Sequence, residues 1–169
     1  MSAPHIAFVT EGGGSVGLGH LSRCAAVCRA AVADGARASF LLPEQTRIAP
    51  LLRGVRAEVV QSTWRLDPDG ARRTLASLAP NVIVVDSYSA SAPFLASLRA
   101  VAPVVAVDDM ADRPLPVDVV VNGGAGAEAL PYDRRPDTTY LLGPRYALLD
   151  PAYAATPNRA TAVFRPLLL

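Results

Sequence analysis

The sequence HIAFVTEGGGSVGLGHLSRCAAVCRAAVA, residues 5–33, predicts a strand, a glycine-rich turn and a helix, in that order. The apolar run His5–Thr10 has the length of a buried strand, and apolar residues recur at helical spacing over residues 20–33. Gly35 lies where a C-cap would end that helix. A strand that leads through glycines into a helix is the opening unit of a parallel α/β sheet. This stretch therefore predicts the fold class.

The rest of the chain repeats the alternation of strands and helices. Further strands are predicted at residues 38–42, 57–61, 81–86, 104–108 and 117–121, with a short last strand at 138–142. Helices are predicted at residues 44–53, 67–78 and 91–101. Parallel strands joined by helices require right-handed βαβ crossovers. We therefore predict an α/β fold with a Rossmann-like, doubly wound and mostly parallel sheet.

Length and composition narrow the class of protein. The 169 residues suffice for one domain, which we place at residues 1–150, with residues 151–169 as a linker or tail. Hydrophobic residues make up 51% of the chain and charged residues 18%, so it can bury a core. The formal net charge is only +1, whereas a dedicated nucleic-acid binder carries a clear basic excess. We expect no nucleic-acid partner.

The expected location is the cytoplasm. Two Cys residues cannot build a disulfide framework, which fits a reducing compartment. No run reaches the roughly 18 apolar residues that a membrane span requires. The first five residues, MSAPH, lack the basic and apolar regions of a signal peptide.

Polar residues follow the predicted strands at the points where the strands end. In an open parallel sheet, ligands bind beyond the carboxyl ends of the strands. The segments in question are residues 11–20 after the first strand, 86–88 after the fourth, 108–109 after the fifth, and Asn122 after the sixth. We expect a site at this edge of the sheet.

The glycine segment allows two interpretations. Residues 12–17, GGGSVG, match the dinucleotide fingerprint, but the second strand lacks the acidic residue that NAD(P) binding requires. Alternatively, Gly17 and Gly19 let the backbone approach a ligand, and the following helix adds its positive end. That potential favours a neutral imidazole at His20, which could then act as a general base toward water or a hydroxyl. A helix-capping or surface His is the remaining alternative.

A metal site on the first helix is a further possibility. His20, Cys24 and Cys28 follow one another at i, i+4 steps along one face. Both Cys residues also lie on the apolar face, however, and free Cys is common in protein cores. We therefore predict neither a metal nor a cofactor.

Four motifs occur in an order that resembles one family. They are GLGHLSRC at residues 17–24, VVDSY at 84–88, VDDMADR at 107–113 and LLGPRYALL at 141–149. The chain resembles, from about Ile6 to Tyr153, the N-terminal half of the nucleotide-sugar hydrolases of pseudaminic acid biosynthesis and the related spore-coat polysaccharide glycosyltransferases. This resemblance implies one half of a glycosyltransferase-B architecture, in which two Rossmann-like domains face each other across a cleft.

The resemblance also implies an activity and a set of site residues. The hydrolases release UDP from a UDP-linked diacetamido-trideoxy sugar without a metal, and His20 would activate water at the anomeric carbon. Gly17 and Gly19 would lie near the sugar diphosphate. The other residues expected to bind substrate are Arg23, Asp86, Tyr88, Asp108, Asp109, Arg113 and Tyr146.

Two departures from the family and two alternatives accompany this interpretation. Family members often carry a His after the ADR triplet, where this chain has PLP at residues 114–116. We also expect no counterpart of the family's C-terminal nucleotide-binding domain within these 169 residues. We expect this chain to be the catalytic-His domain of a UDP-sugar hydrolase or glycosyltransferase of surface-glycan or glycosylated-metabolite biosynthesis. We expect it to be inactive without a missing or separate C-terminal domain.

One alternative is a non-catalytic half-module that docks a partner domain or forms a homo-oligomer. The weaker alternative is an NAD(P)-binding enzyme.

The residues themselves leave the roles of the charged groups open. Without the resemblance, Asp86, Asp108 and Asp109 could equally cap helices or turns. Arg23 could lie on the helix surface or pair with one of these carboxylates.

Overall fold

Seven strands form one sheet in the part of the chain that the structure describes, residues 2–13, 17–43, 52 and 54–153 of this computed structural model. The strands are His5–Thr10 (β1), Arg37–Leu42 (β2), Glu58–Gln61 (β3), Val82–Asp86 (β4), Val104–Val107 (β5), Val119–Asn122 (β6) and Thr139–Leu142 (β7). Their order across the sheet is β3-β2-β1-β4-β5-β6-β7, and every neighbouring pair is parallel. The predicted fold class is confirmed.

Within the described residues, three α-helices connect the strands: Gly19–Ala33 (α1), Pro68–Leu78 (α2) and Ala92–Leu98 (α3). Asp67 and Ser91 cap the N-termini of α2 and α3, because their side chains accept hydrogen bonds from backbone N–H groups in the first turn. Asp34 is the C-cap of α1, and Gly35 follows it with a φ of 89°, a left-handed conformation that suits glycine.

Most predicted boundaries agree with the structure to within two residues. The third helix is shorter than predicted and ends at Leu98 instead of residue 101, and the sixth strand begins at Val119 instead of residue 117. The tail from residue 154 lies outside the described residues, and so does the helix predicted at residues 44–53 apart from residue 52. Just before that tail, Pro151–Tyr153 forms a short 3₁₀ turn that contacts α1.

The sheet is covered on both faces, as a doubly wound fold requires. On one face, Leu21 of α1 packs in a cluster with the stacked rings of Phe8 and Phe40, whose centroids lie 4.7 Å apart. On the other face, Leu75 of α2 and Leu95 of α3 belong to the larger core cluster. The chain leaves β1 toward one side of the sheet and β4 toward the other. The boundary between β1 and β4 is therefore the switch point, where α/β sheets commonly bind ligands.

Gly123 lies directly behind β6, where two chain segments touch. A Cβ at this position would lie 2.4 Å from Ala147 Cα and 2.7 Å from Ala147 N, so any side chain would push the segment after β7 away. We expect Gly123→Ala to lower the free energy of unfolding in urea by about 1–3 kcal/mol, the usual cost of overpacking. Gly19→Ala is the matched control, because nothing lies within 4 Å of the Cβ it would add. Equal unfolding midpoints for the two variants would contradict this packing.

Candidate functional site

A buried pair formed by His20 and Asp86 lies at the switch point. Asp86 is the last residue of β4, next to Thr10 of β1 in the sheet register, and His20 is the second residue of α1. His20 Nδ1 lies 2.6 Å from Asp86 Oδ1. His20 is 3% exposed and Asp86 is completely buried. A carboxylate can only accept hydrogen bonds, so Nδ1 of His20 donates the proton in this contact.

Arg23, one turn farther along α1, joins this pair to a second carboxylate. Its Nε and Nη2 donate to the two carboxylate oxygens of Asp86, each at 2.9 Å. Its Nη1 lies 2.9 and 2.8 Å from the two oxygens of Asp109. Burial lowers the pKa of Arg23, but the hydrogen bonds and charges of Asp86 and Asp109 outweigh burial and raise it. The guanidinium is therefore a fixed positive charge between the two carboxylates.

The half-exposed ring of Tyr88 packs against the imidazole of His20. Its ring stands edge-on to the ring of His20, with centroids 4.4 Å apart, and its hydroxyl donates to Asp109 Oδ2 at 3.1 Å. Tyr88 is 50% exposed. Burial, followed by the charge of Asp109, raises the pKa of Tyr88, so its hydroxyl stays protonated at neutral pH. No residue in the described part of the chain forms a hydrogen bond with Nε2 of His20.

Asp108 is buried and does not join the group formed by His20, Asp86, Arg23 and Asp109. Its Oδ2 accepts hydrogen bonds from the backbone N–H groups of Met110 and Ala111, at 3.1 and 2.8 Å, and from the hydroxyl of Tyr132. Arg113 Nη1 lies 3.2 Å from Asp108 Oδ1. Burial raises the pKa of Tyr132 to about 12. These contacts favour the alternative in which Asp108 shapes a turn, with Arg113 as its ion-pair partner.

Three further residues were predicted to belong to the site, namely Gly17, Gly19 and Tyr146. The two glycines lie next to His20 in the chain, whereas Tyr146 lies away from the imidazole. Gly17 and Gly19 are exposed, next to His20, and a Cβ at either would meet nothing within 4 Å. Gly17 has a φ of 76° and accepts a hydrogen bond from the backbone N–H of Gly13 at 2.7 Å. Tyr146 lies in the 3₁₀ turn after β7, under the guanidinium of Arg145, and lines a shallow depression away from the imidazole.

A cavity of about 550 Å³ opens beside Arg23 and Asp109, beyond the ends of β5 and β6. Two segments form its other walls, the glycine-rich loop at residues 123–127 and residues 147–149 after β7. The side chain of Asn122 holds the loop in place, because its Oδ1 accepts from Gly124 N and its Nδ2 donates to Tyr132, both at 2.9 Å.

The sequence did not predict this cavity. The glycines after the sixth strand were the only available signal, but the contact with residues 147–149 joins segments that are distant in the sequence.

Glu11 is a third buried carboxylate, to which no role was assigned from the sequence although it lies in the segment 11–20 at the expected site. Glu11, directly after β1, is 2% exposed and accepts hydrogen bonds from the Ser87 hydroxyl and from Arg65 Nη1, the latter at 2.9 Å. These contacts tie the ends of β1 and β4 together on the side of the sheet that carries residue 65. Glu11 thereby helps to fix the loop that carries Tyr88.

The two Cys residues of α1 are buried and form no disulfide. Burial raises the pKa of Cys24, and raises that of Cys28 to about 11, so neither thiol is ionised at neutral pH. Among the described residues, no group of three or more His, Cys, Asp or Glu side chains could hold a metal ion. None of the helices in the same residues is long and apolar enough to cross a membrane.

Several large apolar side chains are exposed around the carboxyl edge of the sheet. They follow the ends of β1, β4, β5 and β7 and are Leu18, Tyr88, Met110 and Leu149. Such a grouping around one edge is typical of a surface that contacts another domain or chain.

The fold is a Rossmann-like α/β fold with a parallel seven-stranded sheet. No family model matches the sequence, and no curated protein matches it. Among solved structures, the chain is similar to MurG of Acinetobacter baumannii, with a TM-score of 0.59 and 16% identity over 82% of this chain. The aligned region covers 44% of that protein, so the chain spans less than half of the length of MurG. A likeness at this identity concerns the fold alone.

Proposed function

We propose that this chain is the catalytic-His domain of a hydrolase or glycosyltransferase that acts on a UDP-linked sugar, with His20 as the general base. The observation that carries the proposal is the His20–Asp86 pair at the switch point of the sheet. In this contact of 2.6 Å, Nδ1 of His20 keeps its proton and donates it to Asp86 Oδ1, which leaves Nε2 as the atom that can accept a proton. The MurG-like fold supports a glycosyltransferase-B type of enzyme.

The proposed step is displacement of UDP at the anomeric carbon. The oxygen of water, or of an acceptor hydroxyl, forms a bond to that carbon while its proton passes to His20 Nε2. The bond between the anomeric carbon and the diphosphate oxygen breaks, and UDP leaves with the electron pair. His20 later returns the proton to solvent or to the leaving group.

The cavity beside Arg23 is the proposed place for the sugar. It adjoins Arg23 and Asp109, and its remaining walls are largely apolar or backbone, as in many small-molecule sites. Asp109 and Tyr88 are partly exposed and are therefore retained as sugar-binding residues. Asp86 and Asp108 are buried, and both carboxylates accept hydrogen bonds from other residues of the chain, so we no longer assign them direct contact with the sugar.

A second domain is the proposed partner that completes the cleft. The chain spans 44% of MurG, itself a glycosyltransferase of the two-domain architecture. The exposed apolar side chains Leu18, Met110 and Leu149 surround the edge that such a domain would face. The second domain would supply most of the uridine and diphosphate contacts, either in the same chain or as a separate subunit.

The alternative function is a non-catalytic half-module that docks a partner or pairs with a second copy. The same exposed apolar edge favours it, and so does the 3% exposure of His20 beneath Tyr88. Measurement of UDP release decides between the two functions. If the chain, combined with the second domain, releases no UDP from any of a panel of UDP-linked N-acetyl sugars, the enzymatic function is wrong.

Filling the cavity should weaken the binding of the UDP-linked sugar. Ala125 is exposed and lines the cavity, so Ala125→Trp places an indole there without disturbing the core. We expect KM for the UDP-linked sugar to rise at least about tenfold, equivalent to about 1.4 kcal/mol of binding free energy. Ala129→Trp is the control, because Ala129 is also exposed but does not line the cavity. The same KM for both variants would place the sugar elsewhere.

A further inference from the structure

We infer that Asp86 is a positioning residue, one that fixes the orientation and tautomer of His20 and does not contact the sugar. The inference rests on the proposed function of His20 as a base. It gives Asp86 a role different from the one that the sequence resemblance implies. Three features of the structure carry it: the burial of Asp86, the set of donors around its carboxylate and the anchoring of its backbone.

The carboxylate of Asp86 has no face left for a substrate. It is completely buried, and three donors converge on it: Nδ1 of His20 at 2.6 Å, and Nε and Nη2 of Arg23 at 2.9 Å each. Because the carboxylate has no exposed surface, a sugar hydroxyl could reach it only if one of the residues around it moved away. Displacing Arg23 or His20 would leave a buried charge uncompensated, which is strongly unfavourable.

The donors also determine which nitrogen of His20 carries the proton. Oδ1 of Asp86 is the acceptor for both His20 Nδ1 and Arg23 Nη2, so it cannot serve as a donor to the ring. Arg23 Nη2 also lies 3.2 Å from His20 Nδ1 and could donate only to an unprotonated nitrogen, but the contact with the carboxylate is much shorter, at 2.6 Å. Neutral His20 therefore has its proton on Nδ1 and its lone pair on Nε2. The other tautomer would place two lone pairs against each other at 2.6 Å.

The backbone of Asp86 is held independently of the side chains. Asp86 is paired with Thr10 in the parallel register of β1 and β4, and the Thr10 hydroxyl donates to the Asp86 carbonyl at 2.9 Å. Since β4 fixes Asp86 and the N-terminus of α1 fixes His20, two separate elements define the orientation of the imidazole. A general base must be held in this way if it is to meet water at the anomeric carbon.

The substitution Asp86→Asn would preserve the shape of the side chain but would no longer fix the tautomer of His20. Arg23 donates to both oxygens of Asp86, and His20 donates to one of them, so an amide NH2 group would face a donor in either orientation. If the NH2 group faced the ring, it would donate to Nδ1 and move the ring proton to Nε2. The base would then present a proton to the substrate in place of a lone pair.

The first measurement uses the unaltered chain, so it does not depend on the folding of a variant. Long-range ¹H–¹⁵N spectra, recorded at a pH where the ring is neutral, distinguish the two tautomers of His20. The chain has two His residues, and His5→Gln assigns the signals. We expect the proton on Nδ1. A neutral His20 with its proton on Nε2 would overturn the inference.

The second measurement compares Asp86→Asn with a distant control. We expect Asp86→Asn to lower kcat for UDP release at least about a hundredfold while KM changes by no more than a few-fold, and to change the His20 tautomer. Asp118→Asn is the control, since Asp118 also pairs with an Arg, Arg99 at 2.9 Å, and accepts from Val104 N at 2.8 Å, but lies before β6. It should leave kcat and tautomer unchanged.

The two measurements separate this inference from the proposed function. If His20 is required for UDP release but Asp86→Asn retains kcat, the positioning role is wrong and the function stands. If the tautomer depends on Asp86 but no UDP-linked sugar is turned over, Asp86 positions His20 and the proposed function is wrong.

Discussion

Replacement of His20 by Ala should lower kcat for UDP release by a factor of about 10²–10⁴, the usual contribution of a positioned general base. KM should change little, because Nε2 acts on the attacking water and contributes little to ground-state binding. The measurement is steady-state UDP release by the chain combined with the second domain. Turnover within a factor of a few of the unaltered protein would exclude His20 as the base.

His5→Gln is the matched control for this experiment. His5 is the only other His, and it lies at the start of β1, where Nδ1 and Nε2 contact the Leu78 carbonyl at 3.0 Å and the Ser39 hydroxyl at 2.8 Å. His5 is buried like His20, but it lies at the start of β1, whereas His20 lies in the helix that follows the end of β1. A similar loss of kcat in both variants would indicate that the effect comes from destabilised packing and not from a lost base.

The ring of Tyr88 links the imidazole of His20 to the carboxylate of Asp109. His20 is 3% exposed and its ring contacts that of Tyr88, so movement of the Tyr88 ring would expose more of the imidazole. That ring is half exposed and is held at its outer end by one hydrogen bond of 3.1 Å to Asp109. If a sugar hydroxyl binds Asp109, as proposed above, it would compete for this bond, and sugar binding would then be coupled to the position of the Tyr88 ring.

The fold could be predicted because each element carries its own local signal. The β-branched run before Asp86 has the period and composition of a strand buried on both faces, and Asp67 followed by Pro68 marks a helix start. The parallel arrangement then follows from alternation and crossover handedness alone. Boundaries were less accurate where the signal is weak, as at the end of α3, where no glycine or proline directly follows Leu98.

The sequence predicted which residues lie at the carboxyl ends of the strands, but not how their side chains pair. Because parallel strands end at one edge, His20, Asp86 and Asp109 were expected to lie together, and Arg23 does join the two carboxylates. Which carboxylate is buried depends on pairing between side chains of different elements, and the sequence pattern does not contain that information. Asp108 and Asp109 are adjacent, yet one turns inward to cap a turn and the other faces the cavity.

Removal of the Arg23 charge should have the largest effect on stability. Arg23 supplies two of the three hydrogen bonds to Asp86, so Arg23→Met leaves a completely buried carboxylate with His20 as its remaining side-chain donor. Breaking a buried ion pair in this way costs about 3–5 kcal/mol of unfolding free energy. Asp109→Asn should cost no more than about 1 kcal/mol, because the Asp109 side chain is 36% exposed and solvent screens its charge. Urea unfolding followed by circular dichroism measures both.

Two further variants test whether the uncompensated charge of Asp86 is the cause. Arg99 also pairs with two carboxylates, those of Asp118 and Asp137, each at 2.9 Å, but these are 34% and 43% exposed. Arg99→Met should therefore be much less destabilising than Arg23→Met. The double variant Arg23→Met/Asp86→Asn should recover part of the loss, because it removes the carboxylate that was left without its partner. If Arg23→Met and Arg99→Met cost the same, or if the double variant is less stable than Arg23→Met alone, the buried charge does not dominate the stability of this edge of the sheet.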